Sequence, residues 1–305
     1  MAEFKKNLVV IAGPTAIGKT SLAIQLAKLW DTVIINADSR QFYKELTIGT
    51  AKPSNSELEI IKHYFINNKS VNELYGAGHF ANDAEALIQN LFKEKDILFL
   101  VGGSGLYIDA LLNGVDEFVE VPIQVREQLN ILYKEKGIEA ILNLLKEKDA
   151  DYYLKVDKKN SQRIIRALEV CLHTKKPYSS FLKENKIEKN YNVIKILLNE
   201  DRQLLYDKIN KRVDKMIDDG LLAEVQGLLE YENNNALKTV GYKELFEFLN
   251  NKCTLNEAID KIKQHTRNYA KRQLTWFNNK GNYKNFNPNN YKEITEYIDK
   301  KINNV

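Results

Sequence analysis

The chain has 305 residues, 44% of them apolar, a net charge of +4 and two cysteines, Cys171 and Cys253. These figures suit one large or two modest domains, permit a nucleic-acid partner without demanding one, and leave too few thiols for a disulfide framework or a zinc knuckle. Apolar runs of about five residues fall far below the roughly 20 that span a bilayer. The short polar stretch 1–7 carries no leader pattern, so a soluble, cytoplasmic protein with no membrane partner is expected.

The first element is an apolar run at residues 8–12, followed by Gly13, Pro14, Thr15, Ala16, Ile17, Gly18, Lys19 and Thr20. Leu22, Leu26, Leu29 and Trp30 then recur at helical spacing. Strand, glycine loop and helix in that order are the context that G-x-x-x-x-G-K-[ST] requires. Backbone N–H groups of such a loop turn inward around an anion, and the helix start adds unpaired donors. Lys19 is placed to reach outer phosphates, and the Thr20 hydroxyl is a ligand for Mg²⁺.

A second buried strand is read at 32–36, ending in Ala37, Asp38, Ser39, Arg40 and Gln41. An acid just past the carboxyl end of a parallel strand lies near the phosphate loop. Residues 48–53 read as a loop, and 56–95 as irregular structure with a helix from about Ala81 to Lys93. The third strand, 96–101, runs into Gly102, Gly103, Ser104 and Gly105 rather than the Asp or Glu of a motor NTPase. That absence disfavours an ATP-hydrolysing machine. It leaves kinases, and enzymes that use the loop to hold a diphosphate leaving group.

Strand signals vanish from about Asp116 to Lys189, and Leu129, Leu132, Ile138, Ile141, Leu142 and Leu145 set a helical rhythm. This reads as an all-helical insertion. Arg163 and Arg166 in it share one helix face. A strand returns at 193–198, then a helix over 202–219 that carries Arg212 and is closed by Gly220. The last strong helix starts at Thr254, with Glu257 at capping-box spacing. Leu255, Ile259, Ile262, Thr266, Tyr269, Gln273 and Phe277 form its core face, and Lys261, His265, Arg267, Asn268, Lys271 and Arg272 its basic side. The tail after Asn279 is expected to pack loosely, with a short final helix. The fold class is therefore α/β, a P-loop NTPase-like parallel sheet flanked by helices. Its core comprises 1–115 and 190–305, with a helical insertion at 116–189.

Seven blocks jointly resemble the tRNA dimethylallyltransferase family: the phosphate loop; 38–43; 48–53; 101–107; 162–170; 240–244; and 271–277. They stand in the family's order and span residues 8 to about 278. What the resemblance implies is attack by the N6 amine of an adenosine beside the anticodon of tRNA on dimethylallyl diphosphate, expelling diphosphate. It implies Asp38 as general base, Thr20 with Mg²⁺, and Arg212 with Gly13, Pro14, Thr15, Ala16, Ile17, Gly18 and Lys19 around the diphosphate. It also implies tRNA contacts from Asp38, Ser39, Arg40, Gln41, Ser104 and Arg126. Further contacts would come from Gln162, Arg163, Ile164, Ile165 and Arg166, then Lys238, Gly241, Tyr242 and Lys243, then Lys271, Arg272 and Trp276. The insertion would clamp the anticodon stem-loop, and a monomer is expected. Lys238 and Lys243 stand where arginine is frequent in the family, and Lys175 where glycine is usual. A small-molecule or nucleoside kinase accounts for the loop and Asp38, but leaves the arginines and the basic helix without a task.

Overall fold

A computed structural model describes residues 6–114, 119, 121–182 and 188–303. The expected start of the insertion at Asp116 lies outside the described residues. The chain divides into two compact units, one made of Met1–Leu112 with Glu188–Val305, the other of Asn113–Ile187.

In chain order the elements begin with β1 (Asn7–Ala12), α1 (Lys19–Leu29), β2 (Ile34–Asn36), α2 (Asn55–Ile60), β3 (His63–Tyr64), α3 (Ala77–Leu91), β4 (Ile97–Gly102) and α4 (Gly105–Asn113). The second unit contributes α5 (Ile123–Lys148), α6 (Ala150–Lys155) and α7 (Ser161–Thr174). The chain then returns with β5 (Asn192–Leu198), α8 (Arg202–Asp218), α9 (Leu221–Gln226), α10 (Tyr242–Leu249), α11 (Leu255–Asn279), β6 (Lys284–Phe286) and α12 (Tyr291–Asn303). The six strands form one parallel sheet in the order β3-β2-β4-β1-β5-β6.

Register decides where the site falls. Ala12 pairs with Gly102 and with Leu197, and Asn36 pairs with Val101. The carboxyl ends of β1, β2, β4 and β5 are therefore level. Whatever follows each strand is delivered to one edge of the sheet, where ligands bind in open parallel sheets. Both faces of the sheet are covered, so the strands are continuous apolar runs: Leu8, Val9, Val10 and Ile11 are all fully buried.

The helical unit has its own core. Leu129, Ile141, Leu142 and Leu145 of α5 pack with Ile164, Ile165, Ala167 and Leu168 of α7. Lys175 closes α7 in the left-handed region, at φ 60°. Glycine is favoured at such a closing position because a Cβ there crowds the carbonyl.

Three readings of the sequence are corrected. The segment expected to be irregular holds α2 and the edge strand β3, and α3 starts at Ala77 rather than at 81. Its order comes from rings, with Phe42 packed on Phe65, Tyr75, Phe80 and Tyr107. The tail does not pack loosely. β6 pairs with β5 through Ile196, Leu197 and Leu198, and Ile294 and Ile298 of α12 are fully buried in the main core. Finally, Leu255, Ile259, Thr266 and Tyr269 of α11 are only partly buried, and Ala258 and Ala270 fill the closest approach instead.

Two stability measurements check this packing. Lys175→Gly should stabilise the helical unit by about 1 kcal/mol, read as a higher urea midpoint at unchanged slope. Ile298→Ala should cost about 3 kcal/mol, the usual penalty of a cavity at a fully buried site. A loss below about 0.5 kcal/mol would mean that α12 is not part of the cooperative core.

Candidate active site

Four strand ends meet at the phosphate loop. Gly13 leaves β1 against the carbonyl of Leu198, the last residue of β5. Gly18 sits in the left-handed region at φ 93° and opens α1, so Lys19 and Thr20 start the helix. Asp38 follows β2 by two residues, and its Oδ1 accepts the Arg40 N–H at 2.9 Å. Ser104 follows β4; its hydroxyl accepts the Ser39 N–H at 2.9 Å. The tip of β4 is glycine because there is no room for anything else. A Cβ at Gly102 would come within 2.2 Å of the Ala37 carbonyl oxygen, and one at Gly103 within 2.2 Å of Gln273 Nε2.

Gln273 ties these parts together. Its Oε1 accepts the Thr15 N–H and its Nε2 donates to the Gly103 carbonyl, both at 2.9 Å. One buried amide on α11 thus fixes the phosphate loop to the end of β4. The sequence placed Gln273 on an apolar face; its work there is polar.

A cavity of about 810 Å³ opens above this edge, lined among others by Lys19, Thr20, Asp38, Arg212, Lys243 and Tyr269. The Lys19 ammonium donates to the carbonyls of Gly13 at 3.0 Å and Pro14 at 2.7 Å. Arg212 reaches in from α8 and donates to the Thr15 hydroxyl at 3.3 Å. Desolvation brings the Lys19 ammonium down from a lysine's usual 10.5 to about 8, opposed by Asp38 and assisted by Arg212. Burial also lowers the Arg212 guanidinium, again against the pull of Asp38. Two cations and one carboxylate therefore share a space poor in water. Tyr269 adds a hydroxyl that burial raises to about 12, so it stays neutral.

The remaining expected contacts divide by exposure. Lys238, Lys243, Lys271 and Arg272 are exposed, and all but Lys271 line the cavity. Arg40 is half-buried and donates to the Asn235 carbonyl. Gln41 spends its amide on the carbonyls of Thr50 and Ala51. Trp276 lies with its ring against the Gly105 backbone. In the helical unit Arg126, Gln162 and Arg163 are exposed and Arg166 is half-buried.

Three of the expected RNA contacts have buried side chains. The side chains of Ile164 and Ile165 point into the helical core, and Tyr242 is fully buried. Tyr242 donates to Glu224 at 2.6 Å and fills the space over Gly49, where a Cβ would come within 2.5 Å of its ring. Gly241, by contrast, lines the cavity at φ 97° and donates its N–H to Glu244.

Sequence reasoning missed several residues. Glu224 accepts the backbone N–H groups of Thr47, Ile48 and Gly49, fixing one wall of the cavity. Glu244 is buried and receives His265 Nδ1 at 2.6 Å. Glu224 gave no usable signal, since an acid on a short helix looks solvated. Glu244 stood inside a matched block and was legible there only as part of the motif.

Residues 41–280 match the model of the IPP transferase family. A tRNA dimethylallyltransferase of Flavobacterium psychrophilum is 50% identical over 276 residues, covering 88% of this chain and 90% of its own. One from Flavobacterium johnsoniae is 47% identical over 300 residues, covering 96% and 97%. Among solved structures, the tRNA isopentenylpyrophosphate transferase of Bacillus halodurans superposes with a TM-score of 0.73 at 34% identity, covering 98% of both chains. A eukaryotic dimethylallyltransferase crystallised acting on tRNA superposes with a TM-score of 0.83 at 29% identity, covering 98% of this chain and 80% of that one.

The desolvated lysine makes anion binding pH-dependent. Below about pH 8 Lys19 is already an ammonium; above it the amine is neutral and must take up a proton to meet an anion. Affinity for a diphosphate ester should therefore fall towards tenfold per pH unit above pH 8. Calorimetry in two buffers of different ionisation enthalpy should show proton uptake there, and Lys19→Met should abolish it.

Proposed function

The chain belongs to the IPP transferase family, and on that premise we propose that it transfers a dimethylallyl group from dimethylallyl diphosphate to the N6 amine of an adenosine adjacent to the tRNA anticodon, releasing diphosphate. The observation that carries the reading is the convergence of Lys19, Arg212 and Asp38 on one cavity at the carboxyl edge of the sheet.

The chemistry sets two demands. Diphosphate leaves from the first prenyl carbon only if its growing charge is met. Loop N–H groups, Lys19 and Arg212 are positioned to do this, and Lys19 need only exchange carbonyl partners for phosphate oxygens. The adenine amine is a weak nucleophile whose lone pair is conjugated with the ring. As the N–C bond forms and the C–O bond breaks, the amine must lose a proton, and of the carboxylates lining the cavity Asp38, the one close enough to act on Lys19 and Arg212, accepts it. The Asp38 backbone neighbourhood is rigid: Arg40 N–H holds Oδ1, and Ser104 holds Ser39.

The donor set suits Mg²⁺. Thr20 and Asp38 offer a hydroxyl and a carboxylate to the same cavity, and Mg²⁺ takes few protein oxygens, substrate phosphates and water. Among the described residues no cluster of three or more His, Cys, Asp or Glu exists to hold a metal without substrate. When bound, the ion would supply further positive charge to the diphosphate; Thr20 would hold it, leaving Asp38 for the proton.

The reacting base must leave its stack to enter the cavity. Lys238, Lys243, Lys271 and Arg272 give the rim a positive charge suited to the flanking phosphates. Arg126, Gln162, Arg163 and Arg166 make the helical unit a second RNA-binding surface for the anticodon stem-loop. No described helix is long and apolar enough to cross a membrane, and the reading carries with it a cytosolic, monomeric enzyme.

The deciding experiment supplies labelled dimethylallyl diphosphate and labelled ATP in parallel with unmodified tRNA. The prenyl label should enter RNA; entry of phosphate instead would support a kinase. Asp38→Ala should lower turnover by about 10²- to 10⁴-fold with little change in tRNA affinity, the range expected for a lost general base. Turnover near the parent rate would remove Asp38 from that role.

A further inference from the structure

Glu169 lies on α7 within the helical unit, with its side chain 3% exposed. A buried carboxylate is costly unless its oxygens are met by donors. Here both are met by arginines. Arg126 grips it with two nitrogens, Nε to Oε1 and Nη2 to Oε2. Arg166 donates Nη1 to Oε2 at 3.3 Å and Nη2 to the Val119 carbonyl at 2.9 Å.

We propose that Glu169 is a positioning residue for RNA binding: it draws Arg126 and Arg166 together and freezes Arg126 so that the outward donor edge of Arg126 presents a prebuilt phosphate fork. The proposal rests on the reading that these arginines face tRNA. A guanidinium has five N–H donors in one plane. Holding Arg126 by its Nε–Nη2 edge leaves its Nη1–Nη2 edge directed away from Glu169, and the Arg126 side chain is 48% exposed. A free surface arginine would have to give up its rotamer freedom when phosphate arrives; this one has already lost it.

The claim is testable because charge arithmetic and positioning predict opposite signs. Glu169 is an anion beside a surface that must attract phosphates. If only net charge mattered, Glu169→Gln would tighten RNA binding. If Glu169 positions the arginines, Glu169→Gln loses a charge-assisted latch and binding weakens. The expected result is about a tenfold rise in Kd for an anticodon stem-loop RNA at physiological salt. KM for the RNA should rise while kcat at saturating RNA holds, since no reacting atom is touched.

A cycle separates positioning from loss of fold. Arg126→Lys keeps the charge but lacks the two-pronged grip. It should match Glu169→Gln, and the double variant should be little worse than either. Circular dichroism and thermal melting of the full chain check that the helical unit is intact; should Glu169→Gln unfold it, Arg126→Lys alone, still weakened tenfold at full charge, carries the test. Unchanged or tighter binding by folded Glu169→Gln, or additive losses in the double variant, would overturn the positioning role alone. Failure of the parent protein to bind the stem-loop would overturn it together with the functional reading.

Discussion

The active cavity depends on a close approach that only glycine permits. Gly103 ends the path of β4 directly under the Gln273 amide, and the same amide holds Thr15 in the phosphate loop. A side chain at Gly103 would displace the Gln273 amide and release the loop from its only amide tether to that helix among the described residues. At Gly102, a Cβ would strike the Ala37 carbonyl one residue before Asp38. The phosphate loop and Asp38, to which the proposed function gives the leaving group and the nucleophile, are thus referred to the same two glycines. A magnesium-binding acid at this strand tip, as in a motor NTPase, would not fit. The departure from that pattern is steric before it is chemical.

Electrostatics then follow from how tightly the parts are drawn together. Lys19 and Arg212 repel each other and both are desolvated, and Asp38 offsets only part of that cost. Meanwhile Lys19 leans on the carbonyls of Gly13 and Pro14, and Arg212 on the Thr15 hydroxyl. These are neutral acceptors. On the proposed function, an arriving diphosphate would replace weak partners with charged ones. This is the preorganisation that lets a site stabilise charge as it develops rather than after it forms.

Much of this was legible in the sequence, and the failures share a cause. Strands β1, β4 and β5 were read within a residue or two, because fully buried parallel strands are unbroken apolar runs. The α11 cap was readable from Thr254 and Glu257, since capping is a local hydrogen-bond pattern, and both bonds form. β3 was not, because it is two residues long and its segment is organised by contacts of Phe42 with rings far along the chain. The tail was misjudged because Asn and Lys dominate its composition, while two isoleucines one turn apart decide its packing. At the site, residue types with few chemical uses in such a pattern, such as Lys19 and Asp38, stood out in the sequence, and both line the cavity. Gln273, Glu224 and Glu244 were not, because an amide or carboxylate declares its role only once its partners are in space.

Buried glutamates recur as fasteners for groups that face outward. Glu224 collects three N–H groups of the 47–49 wall and the Tyr242 hydroxyl. Glu244 takes the Gly241 N–H and His265. Glu169 takes two arginines. Each is at most partly visible at the surface, and each holds donors that line the cavity or stand exposed. Two of the three sit in blocks that also contain buried Ile164, Ile165 and Tyr242. Such a block is then better understood as a unit of placement than as a string of contacts. On the proposed function its exposed cations would face the substrate, while its apolar members seat the helix and its acid holds the cations by their inner edge. Such a motif mixes side chains that stand at the surface with side chains that hold them there, and only the packing separates the two.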